Sequence, residues 1–375
     1  MSRNAAIISG ARTALSARAG LLVFALALLC FAISAACADS SFTNLLQSYT
    51  TLETIAGNGA GRADATNYWK PEFEGGPATA ASLSRPHYAM ADGLGNIFIV
   101  DKDSHSVLRV APDGTIHTHA GTHIGGFNGE GPVAATNLQL NFPNALWVRA
   151  DGTVYVLDTG NGRVRRIDTN GFAETLFRAK KSGGELDGGR MLWVKEDESL
   201  AYFGNETRIR KWTPQRGLET LASGFKDLGT FYVETNGTLI VADRGANLVY
   251  RISPEGRRTP LAGNGKKTGG GTGSPALETA LLGPRGIWPA PTGGYLVLLH
   301  DGCQLWHCDA TRSMHLLIHG ARGHTHRGDG KYFYNPAEPR IGEGRSVTVD
   351  DAGNLLLCES DYGYVRRIRL APPKH

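Results

Sequence analysis

A chain of 375 residues has room for one large β domain but not for that and a second sizeable one. Its 39 Lys and Arg against 35 Asp and Glu leave a net charge of +4, which gives no electrostatic case for a nucleic acid or a membrane surface as partner, and no aromatic–basic run of the kind RNA readers use is present. The 49 glycines fall between apolar strands, so they read as turn formers and not as disorder.

Residues 1–38 read as a targeting segment. Arg3, Arg12 and Arg18 precede the apolar run 20–34, and Ala36-Cys37-Ala38 then offers a cleavage site. The run is short for a spanning helix. Two alternatives remain at this point: a lipoprotein signal with Cys37 acylated, and an uncleaved anchor. After cleavage no segment can span a bilayer, and the expected location is secreted or periplasmic. Residues 39–49 form a short lead-in, residues 50–370 the folded domain, and 371–375 a tail.

The domain repeats a phrase. Residues 96–110 read NIFIVDKDSHSVLRV, 153–167 TVYVLDTGNGRVRRI, 238–252 TLIVADRGANLVYRI and 354–368 NLLLCESDYGYVRRI. Each is an apolar strand, an acidic residue, a tight polar turn and a second strand. A short apolar run precedes each phrase, and a turn and further strand follow the first and third (TIHTHAG at 115–121, RTPLAG at 258–263). Weaker copies lie at 190–222 and 285–309. Six units of four short antiparallel strands predict an all-β fold, a six-bladed β-propeller. After Arg369 only LAPPKH remains, and its two prolines cannot donate the bonds of a fourth strand. The segment TLETIAG at 51–57 matches the fourth-strand phrases, so it is expected to complete the last blade and close the ring.

The stretches IAGNG (55–59) and EGGPATAASLSRP (74–86), GGFNGEGPVAATNLQLNFP (125–143) and the turn D-x-G-N-x-R-V-R-R-I (158–167) resemble NHL-repeat propellers over roughly Thr51 to Leu370. The resemblance implies the fold. NHL propellers include protein- and RNA-binding modules, and similar six-bladed rings include a peptide-amidating lyase and gluconolactonase-like and strictosidine-synthase-like enzymes, so it does not select an activity.

In such a ring the first strand of every blade starts near one channel mouth. Aligning the units puts His87, Asn144, Arg190, Gly229, Arg285 and Arg345 at that position. Guanidinium groups present forks that fit carboxylate, phosphate or sulfate, so these residues form a candidate anion-binding ring. The competing reading pairs each Arg with an acid of a neighbouring turn, such as Asp158, Asp243 or Glu359. The recurrent acid ending each second strand (Asp101, Asp158, Asp243, Glu359) reads as a turn former accepting backbone N–H groups of the turn that follows. Gly204 and His300 break that rule, and His300 joins the candidate ligand-binding residues.

His117, His119 and His123 lie in and after blade one. His319, His324 and His326 lie in the long segment 319–338, expected to cover the channel mouth; His324 and His326 alternate and could share a metal. The amidating-lyase likeness implies several metal-binding histidines around the channel, and the gluconolactonase likeness a Glu, an Asn and an Asp; the ring supplies only His87 and Asn144. Neither a metal site nor catalytic residues are assigned, so the cofactor is unknown, with a divalent metal tied to the enzyme reading. Cys303, Cys308 and Cys358 would survive cleavage, either as buried small apolar residues or with a Cys303–Cys308 bridge. No catalytic elbow, zinc-protease, phosphate-loop or dinucleotide motif appears in a fitting context. The sequence therefore predicts an exported monomeric scaffold that binds a protein, a glycan or an acidic small molecule, with a channel lyase or hydrolase as the alternative.

Overall fold

The computed structural model describes residues 42–179, 189–205, 207–323, 326–335 and 340–371; the expected signal peptide, Cys37 and His324 lie outside them. The described residues form six antiparallel sheets; five contain four successive strands in meander order, and the sixth has three successive strands completed by the N-terminal one. This is the six-bladed propeller. Blade one runs Pro86–Ala91, Ile97–Asp101, Ser106–Val110 and Ile116–Ala120; blade two has its inner strands at Ala145–Val148 and Val154–Asp158 and its outer ones at Arg163–Ile167 and Phe172–Arg178. Blades three, four and five start at Leu192, Leu228 and Pro284, and blade six starts at Gly344.

Second strands are buried on both faces: IFIVD, VYVLD, LIVAD and LLLCE have no exposed position. Each is packed between neighbouring blades, which explains why they read as near-continuous apolar runs. Apolar residues of all six blades merge into the largest core cluster.

The ring closes as expected. Tyr49–Ala56 pairs antiparallel with Tyr364–Leu370, the third strand of blade six. Glu53 clamps the pair, accepting from Arg367 Nε at 2.6 Å and Arg369 Nε at 2.9 Å. A helical segment over 42–48 precedes it; Leu45 is fully buried, and Phe42 stacks on His315 of blade five at 4.2 Å. Part of the long segment after blade five approaches the mouth, where Arg322 pairs with Asp301 at 3.0 Å, and part runs along the outer edge of blade six. Its Lys331–Tyr332 pairs with Thr51 and Leu52 as a fifth strand on the outside of blade six, because the closing strand leaves an open edge there whose N–H and C=O groups need partners. His326 belongs to this outer seam: it stacks on Tyr364 at 3.7 Å and lies against Thr54, Asp329 and Glu359. Cys303, Cys308 and Cys358 are free and buried, so there is no Cys303–Cys308 bridge. Burial pushes all three thiols up to about 12.

The recurrent acids are structural, but their target differs from the expected one. Asp101 accepts from Ser84 N at 2.8 Å, Asp158 from Asn141 N at 2.8 Å, Asp243 from Lys226 N at 3.2 Å and Glu359 from Gly342 N at 2.7 Å. The partner is always 17 residues upstream, in the connection that enters the blade's own first strand. Each acid therefore pins an incoming crossover. Arg165 and Arg366, both fully buried, add charge to Asp158 and Glu359 at 3.0 and 3.2 Å.

Two predictions follow from closure and from these acids. Leu52→Ala, in the fully buried heart of the closing strand, should destabilise the fold by about 2–5 kcal/mol in urea unfolding; an effect below about 0.5 kcal/mol, as at surface sites, would mean the strand does not close the ring. Asp101 has no Arg of its own, and burial pushes its carboxyl up to about 7, against the lowering effect of the Ser84 N–H. A raised folded pKa means its stabilising contribution is complete below about pH 4 and is lost as pH rises toward 7. Asp101→Asn should therefore gain stability relative to wild type across that window, read as a difference of melting midpoints that widens with pH. A constant difference would exclude the assignment.

Candidate functional site

The first strands enter side by side, and their starting residues meet at one mouth of the channel. His87, Asn144, Arg190, Gly229, Arg285 and Arg345 line one common space, together with Thr230. All six aligned positions are thus brought together. His87, Asn144, Arg285 and Arg345 are each under 9% exposed. Blade four contributes no side chain because Arg285 passes too close: a Cβ on Gly229 would lie 2.5 Å from the Arg285 carbonyl oxygen. In blade three Gly204 replaces the recurrent acid, and a Cβ there would already press on Arg190 Cβ at 3.3 Å. The space at the neck of the ring measures about 20 Å³, enough for one water-sized sphere.

Around this neck runs a chain of alternating charge. Arg190 meets Asp227 at 3.4 Å, Asp227 meets Arg244 at 3.1 Å, and Arg244 meets Asp301 at 2.7 Å. His300 then lies between Asp301 (3.2 Å) and Asp361 (3.7 Å). Asp361 meets Arg345 at 3.1 Å and Arg85 at 3.8 Å, and Arg85 meets Asp103 at 3.8 Å. The ring arginines therefore do find counter-charges, but not Asp158, Asp243 or Glu359, which serve the crossovers. Burial acts to raise Asp361, yet His300 and Arg345 outweigh it and hold the carboxyl well below its usual range; at Asp301, His300 and Arg244 do the same.

Arg285 is left out of this chain. It has no hydrogen bond or ion pair to any described residue, and burial followed by the Arg345 and Arg190 guanidiniums drives its pKa well down. An arginine still keeps its proton, so a buried cation stands inside the belt without an ion pair, offset only in part by the field of Asp227. Its surroundings show the same excess. Burial and then Arg85 push Lys102 down to about 8; burial pushes Arg345 down to about 10; burial and then Arg345 hold His87 neutral. Arg85, Lys102, Arg190, Arg244, Arg285 and Arg345 outnumber the facing carboxylates Asp103, Asp227, Asp301 and Asp361.

This cation excess bears on the divalent metal that the enzyme likenesses imply. The neck offers His87 and Asn144 but no carboxylate, and among the described residues no three His, Cys, Asp or Glu side chains group as metal ligands. A doubly charged cation does not fit between three guanidiniums. His117, His119, His123, His319 and His326 stand away from the neck.

Further along the same first strands aromatic rings meet. Trp147 of blade two and Trp288 of blade five face each other across the axis at 6.2 Å, flanked by Trp193 at 6.3 Å from Trp147 and Tyr232 at 5.2 Å from Trp288.

Sequence reading missed Arg85, Lys102, Asp103, Asp227, Arg244, Asp301 and Asp361. A signal was available for most of them. Lys102, Asp103, Arg244, Asp301 and Asp361 sit one or two residues after the recurrent-acid position, in the turns that open on the same face.

No family model and no curated protein matches the sequence. Solved structures do match in fold. A protein of unknown function from Bacteroides thetaiotaomicron is 14% identical with a TM-score of 0.62, covering 86% of this chain and 76% of that one. An auxiliary nutrient binding protein from Bacteroides ovatus is 13% identical with a TM-score of 0.60, covering 87% and 78%. A gluconolactonase from Xanthomonas campestris is 14% identical with a TM-score of 0.52, covering 76% and 87%. At such identities the likeness establishes the six-bladed propeller and not an activity.

Proposed function

We propose that this protein is an exported NHL-type propeller that binds an anionic ligand, an acidic sugar or other organic acid, at the arginine ring. The observation that carries the reading is Arg285: a buried guanidinium without a hydrogen bond or ion pair to any described residue, beside Arg190 and Arg345, at the mouth of the channel. Leaving a charge buried and unpaired costs several kcal/mol, and a fold does not retain that cost for stability. An acid group entering the mouth offsets it, with Lys102 and Arg85 adding attraction at the rim. The nutrient-binding proteins of similar fold support a ligand-capturing role, and the N-terminal segment supports export.

The enzymatic alternative rests on one specific geometry. His300 is 5% exposed, its Nδ1 lies 3.2 Å from Asp301, and its Nε2 makes no hydrogen bond. An imidazole oriented by one carboxylate, with its other ring nitrogen 3.7 Å from Asp361 and not hydrogen-bonded, has the form of a general base. If the bound acid is turned over, as a lactonase or lyase would do, His300 is the residue placed to move the proton. His300→Gln should then abolish turnover while retaining binding.

The binding reading makes an unusual pair of expectations for Arg285→Leu. Removing an unpaired buried charge should raise the urea midpoint, whereas a structural arginine would lower it. The same change should weaken binding of glucuronate, gluconate or phosphate by about 30-fold or more, the consequence of losing a buried charge contact of roughly 2 kcal/mol or more. Arg345→Ala should lower both stability and affinity, because it strips Asp361 of its counter-charge. Calorimetric titration of the three proteins decides the matter: unchanged affinity in Arg285→Leu would make the ring structural.

A further inference from the structure

We propose that His326 is a pH-operated latch on the seam that closes the ring: with its proton it fastens the segment 326–333 to the closing strand, and without it that segment loosens. Blade two contains a second copy of this seam, and the two differ at the histidine. Strand pairing sets the equivalences, since Thr175 faces Arg165 as Thr54 faces Arg366. In each seam the threonine hydroxyl donates to an acid of the incoming segment, Thr175 to Glu130 at 2.6 Å and Thr54 to Asp329 at 2.7 Å. In each a buried arginine serves the acid of the second strand, Arg165 for Asp158 at 3.0 Å and Arg366 for Glu359 at 3.2 Å. Blade two adds further cations: Arg163 and Arg178 hold Glu130 at 2.9 and 3.1 Å. In blade six Tyr364 and Gly57 stand at those positions. Asp329 therefore shares Arg366 with Glu359, at 2.6 Å, and two carboxylates face one guanidinium.

His326 can supply the missing charge. It precedes Asp329 as Phe127 precedes Glu130; Phe127 lies over Arg163 at 4.1 Å, whereas His326 stacks on Tyr364 at 3.7 Å. The groups facing the imidazole are Asp329 on its own segment (3.6 Å), Glu359 on the second strand of blade six (3.7 Å), Tyr364 and Arg366 on the third strand, and Thr54 on the closing strand (3.1 Å). Thr54 gives its single hydroxyl proton to Asp329, so it accepts from His326 Nε2. The neutral ring then turns the lone pair of Nδ1, buried and without a hydrogen bond, toward the Glu359 carboxylate. A proton on Nδ1 converts that repulsion into attraction and balances the second acid. Burial acts to lower the proton affinity of the ring, but Asp329 and Glu359 outweigh burial and Arg366 and hold it above the ordinary value of 6.5. The stabilisation is thus complete below that ordinary value and is lost as pH rises through the raised, folded one. What loosens is the pairing of Lys331–Tyr332 with Thr51 and Leu52, flanked by the Gly330 and Phe333 amides, which donate to the Leu52 and Thr50 carbonyls at 2.8 and 2.9 Å.

Amide hydrogen exchange of the whole protein tests the latch. From about pH 6 to about pH 9, protection of the Gly330 and Phe333 amides, corrected for intrinsic exchange, should fall by about 3- to 5-fold, the scale of one half-exposed ion pair. The Thr175 amide, which donates to the Glu130 carbonyl at 2.7 Å in the blade-two seam, should not change. His326→Phe keeps an aromatic ring against Tyr364 and removes the charge. Its Gly330 and Phe333 amides should be no better protected at about pH 6 than those of wild type at about pH 9. His326→Phe combined with Tyr364→Arg rebuilds the blade-two arrangement and should restore protection without a pH response. Equal protection of Gly330 and Phe333 in wild type at both pH values overturns the latch. So does a pH response that persists in His326→Phe. Full low-pH protection in His326→Phe also overturns it, because the imidazole would then act as a stacking partner alone.

Discussion

The pairing of Tyr49–Ala56 with Tyr364–Leu370 is the constraint on which every other feature depends. Each blade alone is a four-stranded sheet whose two faces are apolar, and it is buried only by a neighbour on each side. Six blades in a row would leave two such faces bare, and with them an edge strand. Joining the first strand of the chain to the last blade places that blade against blade one: Thr348 donates to the Ala89 carbonyl across the joint at 2.8 Å. The outer strand Lys331–Tyr332 then covers the edge that closure itself creates. Part of the segment after blade five is thereby used as a seam, while its Arg322 pairs with Asp301 at 3.0 Å.

Closure has an electrostatic consequence. It brings the starting residues of the first strands to one place, where three of them are arginines. In a linear array these would be surface residues several strands apart, each hydrated. In the ring they share a neck of about 20 Å³. The protein answers with carboxylates on the turns after the second strands, and the resulting belt alternates from Arg190 round to Asp103. The belt neutralises the outer guanidiniums and leaves Arg285 alone. In the proposed reading stability and function pull in opposite directions here: an extra Asp would relieve the repulsion and remove the proposed anion site with it. Further along the same strands the side chains are Trp and Tyr, whose rings meet, so polarity changes along one short tube.

Much of this was legible from local pattern. Alternation within the repeated phrase gave the strands, TLETIAG gave the closing strand, and alignment of the copies gave all six positions of the ring. The turn carboxylates were legible in part, since Asp301 and Asp361 fall beside the acids that alignment had already singled out. Their pairing was not, because Asp301 reaches Arg244 of blade four and Asp361 reaches Arg85 of blade one across gaps set by blade twist. Nor did the phrase distinguish Arg165 and Arg366, which are fully buried, from Arg166 and Arg367 beside them, which are not: strand alternation says that neighbours face opposite ways, but only the packing of the loops over blades two and six decides which way is covered.

By itself, the sequence determined the repeat, the number of blades, the closing strand and the convergence of His87, Asn144, Arg190, Arg285 and Arg345, because all of these follow from periodicity and from equivalent positions in equivalent units. Only the tertiary structure decided that the recurrent acids bind crossovers 17 residues upstream, that Arg190 and Arg345 find their counter-charges in Asp227 and Asp361, that Arg285 makes no ion pair with any described residue, and that aromatic rings meet further along the channel. Those outcomes depend on distances between blades, to within an ångström or so, and Coulomb and packing energies change steeply over that range while the repeat pattern does not change at all.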